Sequence, residues 1–308
     1  MKLIRHPDDL PEELRHGALA IGNFDGVHRG HALIVERLVA WARELGGPAV
    51  VLTLDPHPAT ILRPHYIPPP LTWIERKAEL LGRLGVDALI AYPTDESFLE
   101  MTAQDFFDRI VRDWLQARAM VEGVNFFFGR DRRGDVHRLQ AFCKAVGVTL
   151  DVIEPLETDG RIVSSSRIRE LIAAGRIDRA GQMLTQPYRI RGTVVRGEGR
   201  GRKLGYPTAN LEQIDTLLPG EGIYAGRALV DGVAWPAAVN IGPNPTFGEG
   251  RLKVEAFLIG FKSSLYDQSI EIDFLSRLRD IVRFDSAGAL VAQLDRDAAA
   301  AKKVADGG

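Results

Sequence analysis

The chain has one cysteine in 308 residues, Cys143. That excludes an intrachain disulfide and any metal cluster built on several thiolates. A long apolar run is also missing. Nothing approaches the ~18 apolar residues of a membrane-spanning helix, and residues 1–6 (MKLIRH) hold no apolar leader core. The expectation is a cytoplasmic protein without a membrane attachment. Excess charge of either sign is absent too: 39 Lys and Arg stand against 41 Asp and Glu, a formal net charge of −2. This argues against non-specific binding to nucleic acid or to a membrane surface. No internal repeat, low-complexity tract or coiled-coil heptad is visible. The composition that remains is that of an ordinary globular protein, and the length suits two domains, each with its own core.

The two halves differ in period. Apolar runs of strand length at 18–21, 49–54, 86–91, 119–122 and 148–153 alternate with helical patterns at 32–45, 72–84, 103–117 and 136–146. Residues 1–17 are polar and proline-broken, and 55–70, with Asp55-Pro56-His57-Pro58 and Pro68-Pro69-Pro70, reads as a long loop. The alternation predicts an α/β domain: a mostly parallel sheet with helices on both faces. Ligands of such sheets bind beyond the carboxyl ends of the strands, so the segments at 22–26, 55–58 and 123–131 should share a rim. Short helices at 167–174 and 178–184 lead to a boundary near 184–188, giving domains 1–185 and 186–308. Beyond Tyr188 the periods become short. Strands are expected at 190–195, 223–230, 233–239, 254–259 and 270–274, with Asp231-Gly232 as a strong hairpin signal. Regular Gly and Pro punctuation predicts a small antiparallel barrel, followed by a terminal helix at 286–303.

The stretch 18–31, ALAIGNFDGVHRGH, organises the first half. A buried strand runs into the turn residues Gly22, Asn23, Phe24, Asp25 and Gly26 and then into a helix, an entry that aims backbone N–H groups and the positive helix end at an anion. His28 and His31, three apart, are expected to project from one face of the first turn, where each ring could donate to a phosphoryl oxygen. A solvated helix face carrying two histidines is the plain alternative. In the second half, Gly197-Glu198-Gly199-Arg200-Gly201-Arg202-Lys203-Leu204-Gly205 combines four glycines and three basic residues beside Tyr206-Pro207-Thr208-Ala209-Asn210. The run could admit a polyphosphate or be a flexible basic loop. It is neither a Walker A nor a dinucleotide fingerprint, and no helix is expected after it.

Longer patterns sharpen these readings. G-N-F-D-G-V-H-R-G-H (22–31) resembles the phosphate-binding loop and H-x-G-H signature of nucleotidyltransferases, in the longer form found in bacterial bifunctional riboflavin kinase/FMN adenylyltransferases, the FAD synthetases. Thr53-Leu54-Asp55-Pro56-His57-Pro58 resembles the T/S-F-x-P-H-P segment of that family, 123–129 (GVNFFFG) its G-x-[DN]-F-x-F-G segment, and Ser164-Ser165-Ser166-Arg167-Ile168-Arg169 its S-S-[ST]-x-I-R motif. One position departs: members often carry a basic residue where Phe127 stands, and Arg130, Arg132 or Arg133 would have to supply that contact. In the second half Pro207-Thr208-Ala209-Asn210 resembles the P-T-A-N signature of riboflavin kinases. Pro219…Gly222-Ile223-Tyr224-Ala225, Asn240-Ile241-Gly242…Pro245-Thr246-Phe247, Val254-Glu255-Ala256-Phe257 and Leu278-Arg279…Phe284 follow in the family's order.

The resemblance implies a Rossmann-like nucleotidyltransferase domain followed by a barrel kinase domain, and two reactions. Riboflavin and ATP give FMN and ADP; FMN and ATP give FAD and pyrophosphate. It implies His28 and His31 as catalytic groups for the second reaction. Residues 22–26 and Ser164, Ser165, Ser166 and Arg169 would hold its ATP, and Asp55, His57 and Asn125 its flavin. For the kinase it implies Glu255 as catalytic base, Gly199, Arg200, Gly201, Arg202, Lys203, Gly205, Pro207 and Thr208 at ATP, and Arg279 at the flavin. Thr208 and Asn210 would be ligands to Mg²⁺. The bland readings are local: 55–58 as a rigid loop, Asn125 as a left-handed turn residue, the serines as a helix cap, Glu255 as an outward strand carboxylate, and Phe126 and Phe128 as core. Two rivals differ in kind: an adenylyltransferase for another phosphate substrate, which leaves the 189–285 motifs without a role, and a flavin-binding carrier with a degenerate first domain.

Overall fold

The polar lead-in contains a strand that its sequence hides. In the computed structural model, which describes residues 1–62, 67–243 and 252–307 (of Lys203, the backbone alone), Lys2–Ile4 forms β1 at a sheet edge. Three residues with one side chain buried are too few to show a period. The chain divides into two units, Met1–Pro68 with Trp73–Ser164, and Pro69–Thr72 with Ser165–Gly308. Among the described residues no helix is long and apolar enough to cross a membrane.

In the first unit β2 (Ala18–Ile21), β3 (Ala49–Asp55), β4 (Ala88–Pro93), β5 (Ala119–Gly123) and β6 (Thr149–Ile153) join β1 in one sheet, ordered β1-β4-β3-β2-β5-β6. Every pairing is parallel. Successive residues of a strand face opposite sides, and the core follows that rule. Leu19, Ile21, Leu52, Ile90 and Met120 pack on one face with Phe106 and Phe107; Ala18, Ala20, Val51, Leu89 and Val121 pack on the other with Val35, Leu38 and Leu81. The helices are α1 (Arg29–Leu45), α2 (Ala59–Leu62), α3 (Ile74–Arg83), α4 (Glu96–Leu99), α5 (Ala103–Phe106) and α6 (Val136–Val146). Two expectations are corrected. The stretch at 55–70 is not all loop, because Ala59–Leu62 closes one helical turn beyond the second proline. The helix expected at 103–117 is the α5 turn running into a π-helix, Phe107–Trp114. A small hairpin, β7 (Glu157–Thr158) with β8 (Arg161–Ile162), precedes the unit's end.

The strand order reverses between β2 and β5, the place where an open parallel sheet offers a crevice. These two strands pair only at Ala18↔Ala119 and Leu19↔Met120, then part.

The second unit begins with α7 (Ser165–Ala173) and α8 (Ile177–Met183). Its strands are β9 (Tyr188–Val195), β10 (Ala209–Glu212), β11 (Gly222–Val230), β12 (Val233–Gly242), β13 (Lys253–Leu258) and β14 (Ser269–Arg279). They close into an antiparallel barrel in the order β10-β13-β12-β11-β14-β9. Strict alternation fills its interior with Ile190, Val239, Ile241, Ala256 and Ile272, none more than 1% exposed. At the β11–β12 turn Asp231 (φ 48°) and Gly232 (φ 78°) are both left-handed, the two-residue hairpin geometry that matches strand twist. Helix α10 (Ala287–Asp306) starts at Ser286, whose hydroxyl accepts the Ala289 N–H. Here too the sequence expectation needs amending. The strand expected at 270–274 runs on as β14 to Arg279. A single helical turn, α9 (Arg200–Lys203), lies within the glycine-rich run, and after the run the chain enters β10 with no helix, as expected.

Two candidate active sites

The first site lies at the carboxyl end of β2. Phe24 (φ 44°), Gly26 (φ 81°) and Val27 (φ 37°) are left-handed. For a β-branched valine that conformation is strained, and such strain persists only where surroundings over-determine it. Here they do: Phe24 and Val27 are buried in the core with Val35 and Leu38. The loop is thereby fixed and delivers His28 to the start of α1. His28 is the N-cap residue rather than part of the first turn, a correction to the expected shared helical face. Its Nδ1 accepts the His31 N–H at 3.2 Å, which in the neutral ring leaves the proton on Nε2. The two imidazoles stack 3.5 Å apart at 15°. The glycine between them is explained by space, since a Cβ on Gly30 would press on the His28 ring at 3.2 Å.

Burial lowers the His28 pKa to about 4. Burial first, then the charges of His28 and Lys77, hold His31 well below the ordinary imidazole range. Both rings are therefore neutral near pH 7 and act as N–H dipoles. The β3 loop meets this one: the Asn23 side-chain amide contacts His57 Nε2 at 2.9 Å, and His57 Nδ1 accepts the Ala59 N–H at 3.0 Å. Asp25 is buried, whereas Asp55 and Asn125 are exposed. Asn125 does not have a positive φ, so its reading as a left-handed turn residue drops out. Phe128 sits in the core with Phe126 packed against it; Phe127 is exposed and has the Arg132 guanidinium over its ring at 4.4 Å. Ser164 closes the first unit, while Ser165, Ser166 and Arg169 open the second, where Arg169 Nε donates to Pro69 O at 2.9 Å.

Sequence reading missed Glu122. It is 2% exposed, and its Oε1 accepts the Ile21 N–H at 2.8 Å, where β2 and β5 have parted and that amide has lost its ladder partner. Burial lifts its pKa well above the usual carboxyl range, and burial together with Glu122 pushes the Cys143 thiol up to about 12. The only sequence signal was a charged residue ending a short apolar run. The consequence for stability has a definite sign. The folded state keeps this proton to a higher pH than the unfolded chain, so stability falls as pH rises from about 4.5 through the raised folded value. Glu122→Gln keeps an acceptor for Ile21 and removes the ionisation. It should remove that fall, so that stability declines less between pH 5 and pH 8 in the variant than in the parent. Urea unfolding of parent and variant at both pH values measures this, and identical pH dependence would show that Glu122 is not raised.

The second site is written across the barrel. Asn210, Glu255, Asn240, Ile223 and Arg279 are register partners in turn on β10, β13, β12, β11 and β14. Register partners share a face, so these five residues form one row spanning four strand spacings, roughly 19 Å along the sheet. The row is on the outside of the barrel: Val254 and Ala256, flanking Glu255, point inward. The outside is nevertheless covered. One cavity is lined by Thr208, Asn210, Glu255 and Arg279 together with the glycine-rich run and Ile281, Phe284, Leu290 and Leu294. The glycines have two separate jobs. A Cβ on Gly197 would strike the Asn210 amide at 2.3 Å, and one on Gly201 would strike Tyr206 O at 2.3 Å, whereas Gly199 (φ 69°) and Gly205 (φ 88°) need their left-handed backbone.

Of the basic residues here, Arg200 pairs with Glu198 and Arg202 donates to Tyr266 Oη at 3.1 Å. The Lys203 side chain lies outside the described residues, as do Pro245, Thr246 and Phe247 of the matching motif. Arg279 is held by Asp297 of α10, through Nε at 3.0 Å and Nη2 at 2.7 Å, and its guanidinium stands 5.7 Å from the Phe284 ring centroid. Asp297 is 5% exposed and was also missed. Its signal was present: Leu290, Leu294 and Asp297 follow the i, i+4, i+7 spacing of a buried helix stripe.

Comparison with known proteins finds a family match for each half of the chain. A family model described as FAD synthetase matches residues 10–167, and one described as riboflavin kinase matches 184–305. The bifunctional riboflavin kinase/FMN adenylyltransferase of Pseudomonas fluorescens is 37% identical over 306 residues, covering 99% of this chain and 98% of that protein. The proteins of the same description from Haemophilus influenzae and Escherichia coli K12 are each 32% identical, over 98% of this chain. A solved structure from Streptococcus pneumoniae, described as a macrolide-efflux protein, is similar with a TM-score of 0.88 and 29% identity, covering 98% of this chain and 99% of that one.

Proposed function

The chain belongs to the bifunctional riboflavin kinase/FMN adenylyltransferase family, and from that premise we propose which of its residues carry each step. The enzyme phosphorylates riboflavin to FMN with ATP and then adenylylates FMN to FAD, releasing pyrophosphate. We assign residues 1–185 to adenylyl transfer and 186–308 to phosphorylation; the support is that one family match ends at 167 and the next begins at 184. A cytoplasmic workplace accords with a single cysteine and with dependence on ATP.

Adenylyl transfer needs no general base. An FMN phosphate oxygen, already ionised near neutral pH, attacks the α-phosphorus of ATP, and the electron pair of the breaking P–O bond leaves with pyrophosphate. The demand is alignment and stabilisation of charge on the oxygens of the α-phosphate. His28 Nε2–H and the His31 ring, neutral and fixed by stacking, meet it with dipoles, and the α1 N-terminus adds its own N–H groups. Ser164, Ser165, Ser166 and Arg169 take the departing phosphates, Gly22, Asn23, Phe24, Asp25 and Gly26 line the nucleotide, and Asp55, His57 and Asn125 face the flavin.

The kinase step starts from a neutral alcohol, so a proton must be taken up as phosphoryl transfer proceeds. Glu255 is the acceptor, and Arg279, steadied by Asp297 and beside Phe284, contacts the flavin. Gly199, Arg200, Gly201, Arg202, Lys203, Gly205, Pro207 and Thr208 form the nucleotide loop. Thr208 and Asn210 offer hydroxyl and amide oxygens, donors that suit Mg²⁺, and both line the cavity with Glu255. The ion, when bound, offsets phosphate charge.

The observation that carries this reading is the register row that sets Asn210 beside Glu255 and leads to Arg279. Chromatography of a mixture of enzyme, riboflavin, ATP and Mg²⁺ should show FMN and then FAD. Leaving out Mg²⁺ should abolish both products. Undiminished turnover under chelation would remove Thr208 and Asn210 from their metal role.

A further inference from the structure

Helix α3 buries two cations, and only one is matched by an anion. Arg76 pairs with Glu79 on its own helix at 2.6 Å. Lys77, 8% exposed, forms no ion pair among the described residues and has a single hydrogen-bond acceptor there, Thr53 Oγ1 at 3.2 Å. Thr53 Oγ1 in turn donates to Asn23 O at 3.2 Å. The ammonium is thus tied to the end of β3 and, through it, to the loop that carries His28. An ammonium has three donors, so two remain to be used.

Charged groups surround it from each packed element. Asp25 on the glycine loop and Asp55 at the end of β3 favour the cation, while burial opposes it and, as the largest influence, lowers its pKa. His31 at the start of α1 feels its charge. With His28 and His31 neutral, Lys77 is the formal positive charge among these groups. FMN and ATP each bring a polyanion to this place. We propose that Lys77 binds a phosphoryl oxygen of the adenylyl-transfer substrates, completing with charge what the imidazoles supply only as dipoles. The inference rests on the assignment of adenylyl transfer to the His28–His31 site.

The test compares Lys77→Met and Lys77→Arg with the full-length parent. Lys77→Met removes the charge at similar length but also ends its attraction to Asp25 and Asp55, so the melting temperature of each variant is measured beside its rates. FAD formation from FMN should lose about 10²-fold in kcat/KM, with riboflavin phosphorylation unchanged. A raised KM for FMN alone identifies the acceptor phosphate as the partner, a raised KM for ATP alone identifies the triphosphate, and a fall in kcat alone places the contact in the transition state. Rate should also decline on the alkaline side as the ammonium loses its proton, below the pH of an ordinary lysine. Lys77→Arg should move that limb to higher pH, because guanidinium stays charged. A Lys77→Met rate within threefold of the parent overturns the inference. Should that variant fail to fold, an alkaline limb unmoved by Lys77→Arg overturns it instead. His28→Asn in the same assay tests the site assignment separately, since its full activity would sink that assignment whatever Lys77 does.

Discussion

Replacing His28 with alanine is expected to cut FAD formation by about 10²–10³-fold and to leave riboflavin phosphorylation at the parental rate. The magnitude is that of losing one preorganised donor at a site of developing charge. The separation of effects follows from the two reactions having their own residues. His28 also caps α1 through Nδ1, and loss of a cap costs about 1 kcal/mol, so alanine alone mixes two causes. His28→Asn resolves them: its amide oxygen can still accept the His31 N–H, but the ring N–H is gone. We expect Asn to restore most of the lost stability and none of the lost rate. The assay is FMN plus ATP followed by flavin chromatography, with riboflavin as substrate in parallel. A His28→Ala/His31→Ala double variant with parental FAD output would take both rings out of the mechanism.

The pH dependence sharpens this. With the His28 pKa lowered to about 4, the imidazole is neutral throughout pH 6–8. An acid limb near pH 6 would then belong to the FMN phosphate, whose second ionisation lies about there. His28→Asn should lower the plateau without moving that limb. A parental limb that vanished in the variant would mean an imidazolium, and the burial argument would fail.

How much of this was legible from the residues depends on whether the signal is local. The α/β alternation, the barrel, the Asp231-Gly232 hairpin and the C-terminal helix were, because period and turn chemistry act over a few residues. β1 was not, since three residues at an edge carry no period. The π-helix was not, because eight residues are too few for their composition to separate an i→i+5 register from an i→i+4 one. The histidine pair was legible as a motif, but its stacking was not: that depends on Val27 and Phe24 being pinned left-handed by the core. Glu122 and Lys77 escaped for a related reason. Glu122 ends a short apolar run and Lys77 stands in the charged run Glu75-Arg76-Lys77, and the partner of each is distant in sequence, Ile21 for one and Thr53 for the other.

Glu255→Gln should stop phosphorylation of riboflavin, with a loss on the scale of a general base, about 10²–10⁴-fold, while FMN supplied directly still becomes FAD. Alternation along β13 puts Glu255 on the outer face of the barrel, where a carboxylate ordinarily meets water. The plain reading of the sequence was right about direction and incomplete about consequence. α10 and the glycine-rich run cover that face, so an outward residue becomes a cavity residue. Glutamine keeps the length, the register with Asn210 and Asn240, and the capacity to accept a hydrogen bond; it gives up only the ability to take a proton. A stability change is therefore not expected, and equal melting temperatures would certify the comparison. Asp297→Asn offers the contrast. It weakens the hold on Arg279 without touching the proton acceptor, so it should raise the KM for riboflavin more than it lowers kcat. If Glu255→Gln phosphorylates riboflavin at the parental rate, the alcohol loses its proton elsewhere, and the row across the barrel is a binding surface without a base.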